Sequence, residues 1–269
     1  MRPTVDAQFK IPVTLYGIGG EVRNRETPAK GLFYRGMKKI IIDQEIFKKY
    51  PNFIRGIIIV TGIKNNPENE KVKELSDKEI KNKAGQSFTE HEIVKAWDKA
   101  HEKFGSNPNK FPPSIKSLLK RIEKGGEIPF INSVVALFNY ISVKYLIPCG
   151  GDDIDKTEGN LKLGLAKGNE SFIPLGGQDK ETPEVGEVIY FDDKTLNVMC
   201  RRWNWRNGDF TKIMPETKKI VINIDGIGSV PQSLIEKARD ELAELLVVHC
   251  QANLKTGLLN KDLREIKLY

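Results

Sequence analysis

Two tryptophans and three arginines lie together in one short run of the sequence, RRWNWR at residues 201–206. Aromatic rings can stack on bases or on other rings, and a guanidinium can bind a phosphate or a carboxylate. If the run is a strand, Trp203 and Trp205 share one face, because side chains alternate along a strand. The other face then carries three polar residues, Arg202, Asn204 and Arg206. The run is therefore either one face of a half-buried strand or the wall of a ligand site.

Two asparagines lie seven residues apart, Asn132 and Asn139, in a segment whose apolar period predicts a largely buried helix from Asn132 to Leu146. Seven residues are two helical turns, so both amides share a face, with the small Ala136 between them. Buried amides must be hydrogen-bonded, so this face and the adjoining Ser133 could line a polar pocket. Alternatively, Asn132 is only the helix N-cap and Asn139 bonds to a neighbouring loop.

The run CGGDDID, residues 149–155, joins two glycines to three carboxylates. Gly150 and Gly151 allow the backbone to turn or to approach a ligand closely. The carboxylates that follow, Asp152, Asp153 and Asp155, could position water, hold an amino group or bind a divalent cation. Their spacing does not match a calcium-binding loop, and Asp also favours turns and caps. We therefore predict no metal site and no cofactor.

The order of the predicted strands and helices that position these residues indicates an α+β fold. Two buried strands, KKIIID and RGIIIVTG, flank a short helix capped by Asp43, and helical segments follow up to residue 124. One of them, FTEHEIVKAWDKAHEKFG, has Thr89 as its predicted cap. After the Asn132–Leu146 helix, short strands including SFIPL alternate with turns, and a last helix begins near Pro231. Strands in a run, bracketed by helices, favour α+β over a doubly wound sheet.

The chain divides into an N-terminal extension at 1–37, a composite domain at 38–250 and a C-terminal tail at 251–269. The domain has a basic half, 38–128, and a half that contains the three clusters, 129–250. Residues 1–128 hold 25 Lys and Arg against 16 Asp and Glu, whereas the remainder holds 18 against 20. The basic half either attracts a polyanion such as RNA or is a solvated, lysine-rich surface.

Composition excludes several classes of protein. Apolar residues make up 39% of the chain, and no run approaches the roughly 20 apolar residues that span a bilayer. Three distant cysteines, Cys149, Cys200 and Cys250, argue against a disulfide framework or a zinc site and predict small buried side chains. No Ser/His/Asp order or HExxH motif is present. We expect a cytoplasmic protein without a membrane or DNA partner.

The segment IPFINSVVALFNYISVKYLIPCGGDDIDK resembles part of the phenylalanyl-tRNA synthetase β chain that has an Asn-x-Val-Val-Asp…Asn-Tyr helix, a proline turn and Asp-x-Asp-Lys. FIPLGG and the runs at 187–193 and 211–217 continue the resemblance, which spans roughly Pro129–Gly226. It indicates the third-and-fourth B-domain module, which in the synthetase binds and hydrolyses tRNA mischarged with tyrosine. RRWNWR and the Trp97–Arg121 run look more like freestanding relatives of that module, and no ligase core or ATP-binding motif is visible.

The resemblance implies an editing-module-like fold and a tRNA-binding hydrolase that deacylates a mischarged aminoacyl-tRNA by water attack. Asn139 and either Asp152 or Asp153 would be catalytic, holding the aminoacyl group, its amine or the water. The substrate-binding residues would be Asn132, Ser133, Gly150, Gly151, Trp203, Asn204, Trp205 and Arg206. The RNA-binding residues would be Lys116, Lys120, Arg121, Lys124, Arg201 and Arg202, next to the aminoacylated 3′ end.

The sequence departs from the synthetase pattern at three positions of this module. Ala136 stands where an aspartate is expected, Gly150 replaces a pocket histidine, and Asp209 is the nearest carboxylate to a missing glutamate. Two alternatives to an editing hydrolase therefore stay open. One is an RNA-binding module without catalysis, and the other is a pocket protein for a free amino acid or a related small molecule.

Overall fold

A computed structural model describes residues 38–88 and 90–268, which lie in one compact unit that begins at Met37. The predicted extension at 1–37 and the predicted cap Thr89 are outside the described residues. The helices are α1 Gln44–Lys49, α2 Glu70–Lys83, α3 Glu92–Lys103, α4 Ser114–Glu123, α5 Ser133–Tyr145 and α6 Gln232–Cys250. The strands are β1 Lys39–Ile42, β2 Ile54–Gly62, β3 Cys149–Asp153, β4 Leu161–Leu165, β5 Val188–Asp192, β6 Val198–Arg201, β7 Arg206–Asn207, β8 Ile220–Gly226, β9 Asn253–Leu259 and β10 Glu265–Lys267.

The strands form two sheets. One sheet has the order β10-β1-β4-β5-β6-β7, in which only β1 and β4 are parallel, and the other has the order β3-β8-β2-β9 and is antiparallel. Helices and strands of both sheets share one hydrophobic core. The predicted α+β class, with short mixed strands bracketed by helices, is confirmed.

Helix α6 covers one face of the four-stranded sheet. A Cβ atom placed on Gly226 would lie 2.8 Å from the side chain of Ile235 in α6, so only glycine permits this close approach. The opposite face of this sheet carries two cross-strand pairs. Arg55 in β2 is paired with Asp225 in β8, and Gly150 in β3 is paired with Asn223 in β8. This second face looks towards β5 and β6 and carries the polar residues described below.

Several local predictions are confirmed, and others are wrong. Asp43 caps its helix as predicted, and Asn132 caps α5, which is the alternative to a pocket role that the sequence left open. CGGDD is a strand rather than a turn, because its backbone pairs with β8, and SFIPL makes only isolated bridges. Helix α3 is capped by His91, whose ring nitrogen accepts the N–H of Ile93.

The segment predicted as a separate C-terminal tail is part of the domain. Strand β9 pairs with β2 along seven residues, and β10 pairs with β1. Leu259 and Leu268 are fully buried, so burial of apolar side chains fixes both strands on the sheets. None of the helices among residues 38–88 and 90–268 is long and apolar enough to cross a membrane.

Candidate functional site

A small cavity with a mixed polar and apolar lining lies where the polar face of the four-stranded sheet meets β5, β6 and the turn after β6. Its volume is about 80 Å³. The lining residues are Arg55, Ser114, Pro148, Cys149, Gly150, Gly151, Asp152, Tyr190, Cys200, Trp203, Asn204, Asn207, Asn223 and Asp225. Two larger pockets, of about 520 and 440 Å³, are lined by residues of helices and of the loops beside them, and neither contains a predicted site residue. The small cavity unites residues from two of the three sequence clusters, CGGDDID and RRWNWR, so we take it as the candidate site.

A buried ion pair joins two neighbouring strands in the cavity wall. Arg55 Nε and Nη2 donate to the two carboxylate oxygens of Asp225 at 2.6 and 2.8 Å. Both side chains are almost completely buried, and the guanidinium carbon lies 5.0 Å from the ring centroid of Tyr190. This bidentate geometry is the strongest form of an arginine–carboxylate contact. The pair therefore fixes the register of the wall and leaves Nη1 of Arg55 for another acceptor.

Asp152 is the titratable group of the cavity. It projects from edge strand β3, is 8% exposed, and accepts a 2.6 Å hydrogen bond from the hydroxyl of Thr211 at Oδ1. Burial raises the pKa of Asp152 to about 6, although Thr211 and the positive charge of Arg55 oppose the shift. A carboxyl group with this pKa exchanges its proton close to neutral pH, as a general base requires.

The cysteines in the wall are neutral thiols. Burial raises the pKa values of Cys149 and Cys200 above their ordinary range. A thiol with a raised pKa is a weak nucleophile because the thiolate is the reactive form. The prediction that Cys149, Cys200 and Cys250 are small buried side chains is confirmed.

The run RRWNWR is the hairpin turn between β6 and β7 rather than one continuous strand, so the alternation considered for it does not apply. Strand β6 ends at Arg201, and Arg202 and Trp203 have φ values of 45° and 65°, a left-handed conformation that breaks the side-chain alternation. The Trp203 ring is 2% exposed and packs edge-on against Tyr50 at 4.7 Å and Trp97 at 5.2 Å. Trp203 is therefore core filler that also contributes to the cavity wall.

The neighbours of Trp203 separate into cavity and surface residues. Asn204 lines the cavity and its Oδ1 contacts Nε2 of His101 at 3.1 Å, where burial lowers the pKa of the imidazole to about 4. Trp205 is half-buried, stacks edge-on against Phe111 and does not line the cavity. Arg206 is exposed.

Two predicted RNA-binding arginines are buried in ion pairs. Arg201 binds Glu187 at 2.7 Å, and Arg202 binds Glu184 at 2.9 Å and lies 3.9 Å above the ring of Phe111. Their side chains are 8% and 4% exposed, so neither is available to a phosphate in this conformation.

The predicted site residues at the start of α5 anchor that helix and do not line the cavity. Asn132 is fully buried, accepts the N–H of Val135 and donates to the carbonyl of Ile213 at 3.1 Å. Ser133 donates to the carbonyl of Asn66 at 2.9 Å. Asn139 is half-buried and is absent from the cavity lining. Asp153 likewise caps the following turn and accepts the hydroxyl of Thr217 at 2.8 Å.

We expect Asn132→Ala to lower the free energy of unfolding by about 1–3 kcal/mol, because a helix cap is lost and a buried carbonyl loses its donor. Chemical denaturation measures the change. Asn139→Ala, on the same helix, is the matched control and should change stability much less. Equal losses for both variants would contradict a capping role for Asn132.

The basic residues of α4 fall into two classes. Lys116 is buried and binds Asp98 at 2.5 Å, so it is not free to contact RNA. Lys120, Arg121 and Lys124 are exposed and make no ion pair within the described part of the chain. Ser114, at the start of α4, lines the cavity, and its N–H donates to the carbonyl of Asn204 at 2.9 Å. Helix α4 therefore leads directly away from the candidate site.

Sequence reasoning missed four of the polar residues that form the cavity: Arg55, Tyr190, Asn223 and Asp225. Each lies inside a strand that is otherwise apolar, as in RGIIIV and INIDG. An isolated charge in a buried strand must be paired. The isolated charges of Arg55 and Asp225 are visible in the sequence, but it does not show that they pair with each other, because their strands are far apart in the chain.

Comparison with known proteins gives the family. A family model for the B3/4 domain matches residues 96–251, which is more than half of the chain. The chain belongs to the B3/4 domain family. The curated phenylalanine–tRNA ligase beta subunit of Fusobacterium nucleatum subsp. nucleatum is 33% identical over 107 residues, which cover 40% of this chain and 13% of that protein. The B3/4 chain thus corresponds to a small part of the ligase subunit.

A solved structure is also similar to the B3/4 chain. It is an N-terminal fragment of the phenylalanyl-tRNA synthetase beta subunit from Pyrococcus horikoshii, with a TM-score of 0.46 and 14% identity. The alignment covers 86% of this chain and 55% of the fragment.

Proposed function

We propose that this protein binds tRNA and deacylates a mischarged aminoacyl-tRNA by water attack in the cavity at Asp152. The observation that carries the proposal is a buried carboxyl group with a pKa of about 6 in a cavity of a B3/4 family member. Similarity to part of a tRNA ligase subunit supports tRNA as the partner. Asn139 and Asp153 have no direct role in this proposal, because one is outside the cavity lining and the other is bonded within its own turn.

The proposed reaction needs only one base. Ionised Asp152 takes a proton from a water molecule, and the water oxygen forms a bond to the ester carbonyl carbon. The bond from that carbon to the ribose oxygen then breaks, and the proton passes to the ribose oxygen, releasing the free amino acid and tRNA. The unpaired N–H groups of Arg55 Nη1 and Asn204 Nδ2 at the cavity wall are suited to stabilise the developing oxyanion. An ester is already activated, so positioning and charge stabilisation account for most of the acceleration.

The tRNA backbone would follow helix α4. The exposed cations Lys120, Arg121 and Lys124 lie about 9–15 Å along the helix from Ser114 at the cavity, given a rise of about 1.5 Å per residue. Phosphates next to the 3′ end could reach these cations while the aminoacyl group occupies the cavity. Arg206, exposed directly after the turn that lines the cavity, is a further cation that could contact the tRNA.

Replacing Lys120, Arg121 and Lys124 together with alanine should weaken tRNA binding and reduce the steepness of its salt dependence. Each phosphate contact contributes about 0.7–0.9 to the slope of log K against log salt, so the slope should fall by about 2–3. Fluorescence anisotropy over a salt series measures it. The matched control replaces Lys237, Lys255 and Lys261 with alanine. These lysines are also exposed, and their replacement lowers the net charge by the same amount. An equal fall in the control would show that only net charge matters.

The function is tested with a panel of tRNAs, each correctly or wrongly charged, incubated with the purified protein. Release of one mischarged amino acid well above the spontaneous rate, with correctly charged tRNA spared, is the expected result. Binding of tRNA without release of any amino acid, at protein in excess of tRNA, would leave an RNA-binding module. Absence of both tRNA binding and release would overturn the proposal and leave the small-molecule pocket.

A further inference from the structure

Unpartnered polar atoms concentrate around the cavity. Among the described residues, ten buried side-chain nitrogen and oxygen atoms have no hydrogen-bond partner. Five of them belong to residues of the cavity wall: Arg55 Nη1, Tyr190 Oη, Trp203 Nε1, Asn204 Nδ2 and Asn223 Oδ1. The amide of Asn223 faces the hydroxyl oxygen of Tyr190, which leaves the hydroxyl proton of Tyr190 and Oδ1 of Asn223 without a partner. Buried polar groups in folded proteins are nearly always paired, so a group of five at one place points to a ligand with matching polar groups.

The chemistry of these atoms is mixed. Arg55, Trp203 and Asn204 offer N–H donors, Asn223 offers an acceptor, and the hydroxyl of Tyr190 can do both. An apolar occupant would shield them from water without satisfying them, which is unfavourable for each buried group. A polar occupant with a donor and an acceptor would pair with several of them. The wall therefore favours a polar side chain.

The size of the cavity restricts the occupant further. Its volume of about 80 Å³ is about half of the ~150 Å³ of an engineered cavity that admits benzene. The Trp203 side of the wall is fixed, because this ring is held edge-on by Tyr50, Phe53 and Trp97. One side is open, because a Cβ atom on Gly150 would meet no other atom within 4 Å. A narrow chain can therefore enter, and an aromatic ring cannot.

We infer, on the basis of the proposed function, that the amino acid removed from tRNA carries a slender polar side chain and not an aromatic ring. The polar end of that side chain pairs with the unpartnered groups of Tyr190 and Asn223, and its length is limited by Trp203. Tyrosine and phenylalanine are excluded by volume, and valine and leucine are excluded by the polar wall.

The experiment compares release of amino acids from one tRNA body charged in parallel with residues of similar shape. Threonine is matched with valine, and asparagine with leucine, while glutamine, lysine, tyrosine and phenylalanine complete the set. We expect the fastest release from a polar member, with the apolar partner of similar shape at least ~100-fold slower, because a polar site rejects an analogue that lacks the bonding group. Fastest release of tyrosine, phenylalanine, valine or leucine would overturn the inference.

A conservative variant tests the wall itself. Tyr190→Phe keeps the ring and removes the unpartnered hydroxyl, so the preference for the polar over the apolar partner should fall by about tenfold while the apolar rate rises or is unchanged. Tyr145→Phe, in which the hydroxyl bonded to Glu241 is outside the cavity, is the matched control and should keep the preference. An unchanged preference in Tyr190→Phe, with the protein folded, would count against the polar-wall assignment.

Binding of amide-linked analogues separates this inference from the proposed function. The probes are 3′-amino-3′-deoxyadenosine acylated with asparagine, leucine or tyrosine, which cannot be hydrolysed as esters. Tighter binding of the asparagine probe by calorimetry, with no hydrolysis of any charged tRNA, would remove the catalytic function and keep the side-chain preference. Equal or tighter binding of the leucine or tyrosine probe would overturn the preference, whatever the protein hydrolyses.

Discussion

Asp152→Asn should lower the rate of aminoacyl-tRNA deacylation by about 10²–10⁴-fold, the usual contribution of a positioned general base. The amide keeps the size of the side chain and can still accept the hydroxyl of Thr211, which lies 2.6 Å from Oδ1. It cannot remove a proton from water. Asp155→Asn is the matched control, because Asp155 is three residues away, exposed and paired with Lys219. Single-turnover rates at saturating protein measure the effect, and equal losses in both variants would exclude Asp152 as the base.

The pH dependence of the wild-type rate should identify the same group. Asp152 is protonated below its folded-state pKa of about 6 and ionised above it, so the rate should rise through pH 6 and level off above it. Because burial raises this pKa above the unfolded value of about 3.9, the folded state holds the proton more tightly. The resulting contribution to stability is present below about pH 4 and is lost as pH rises to about 6.

Stability against pH therefore offers an independent measurement that needs no substrate. A shift of about two pKa units corresponds to roughly 3 kcal/mol, lost between about pH 4 and pH 6. Asp152→Asn does not titrate, so the variant should lack this fall and should be at least as stable as the wild type at pH 7. Denaturation at several pH values tests it. A wild-type curve that coincides with the variant's would show an unshifted carboxyl group.

The main elements of the fold could be predicted from the sequence because local patterns determine them. Continuous apolar runs indicated β1 and β2, and the apolar period of residues 132–146 indicated α5. Local patterns do not contain the pairing of distant strands. Residues 251–269 were predicted to be a separate tail, yet β9 and β10 within them add a strand to each sheet.

The candidate site was only partly predictable for the same reason. The carboxylates and glycines after Pro148 were identified from their types, and Asp152, Gly150 and Gly151 do line the cavity. The partners across the cavity depend on the register of β2 with β8, which brings together residues 170 positions apart in the chain. The turn at Arg202 and Trp203 was missed because residues other than glycine rarely adopt a positive φ. Tertiary packing of the Trp203 ring imposes that conformation, and alternation cannot show it.

Arg55→Met should destabilise the protein by about 3–5 kcal/mol. The change leaves the carboxylate of Asp225, which is 4% exposed, as an uncompensated buried charge. For a chain of this size, such a loss lowers the melting temperature by roughly 10 °C. Differential scanning calorimetry or a denaturant titration measures it. Lys48→Met, which breaks an exposed ion pair with Glu45, is the control and should change stability by less than ~1 kcal/mol.

The double variant Arg55→Met/Asp225→Leu separates the buried charge from the loss of packing. With both charges replaced by apolar side chains, no uncompensated buried charge remains, and stability should recover to within about 1–2 kcal/mol of the wild type. Deacylation should remain low, because the cavity has lost the Nη1 donor of Arg55 although the protein is folded. A double variant as unstable as Arg55→Met would mean that the arginine stabilises through its contact with Tyr190, 5.0 Å away, rather than through Asp225. Full activity in the refolded double variant would remove Arg55 from the proposed oxyanion-stabilising groups and leave that task to Asn204.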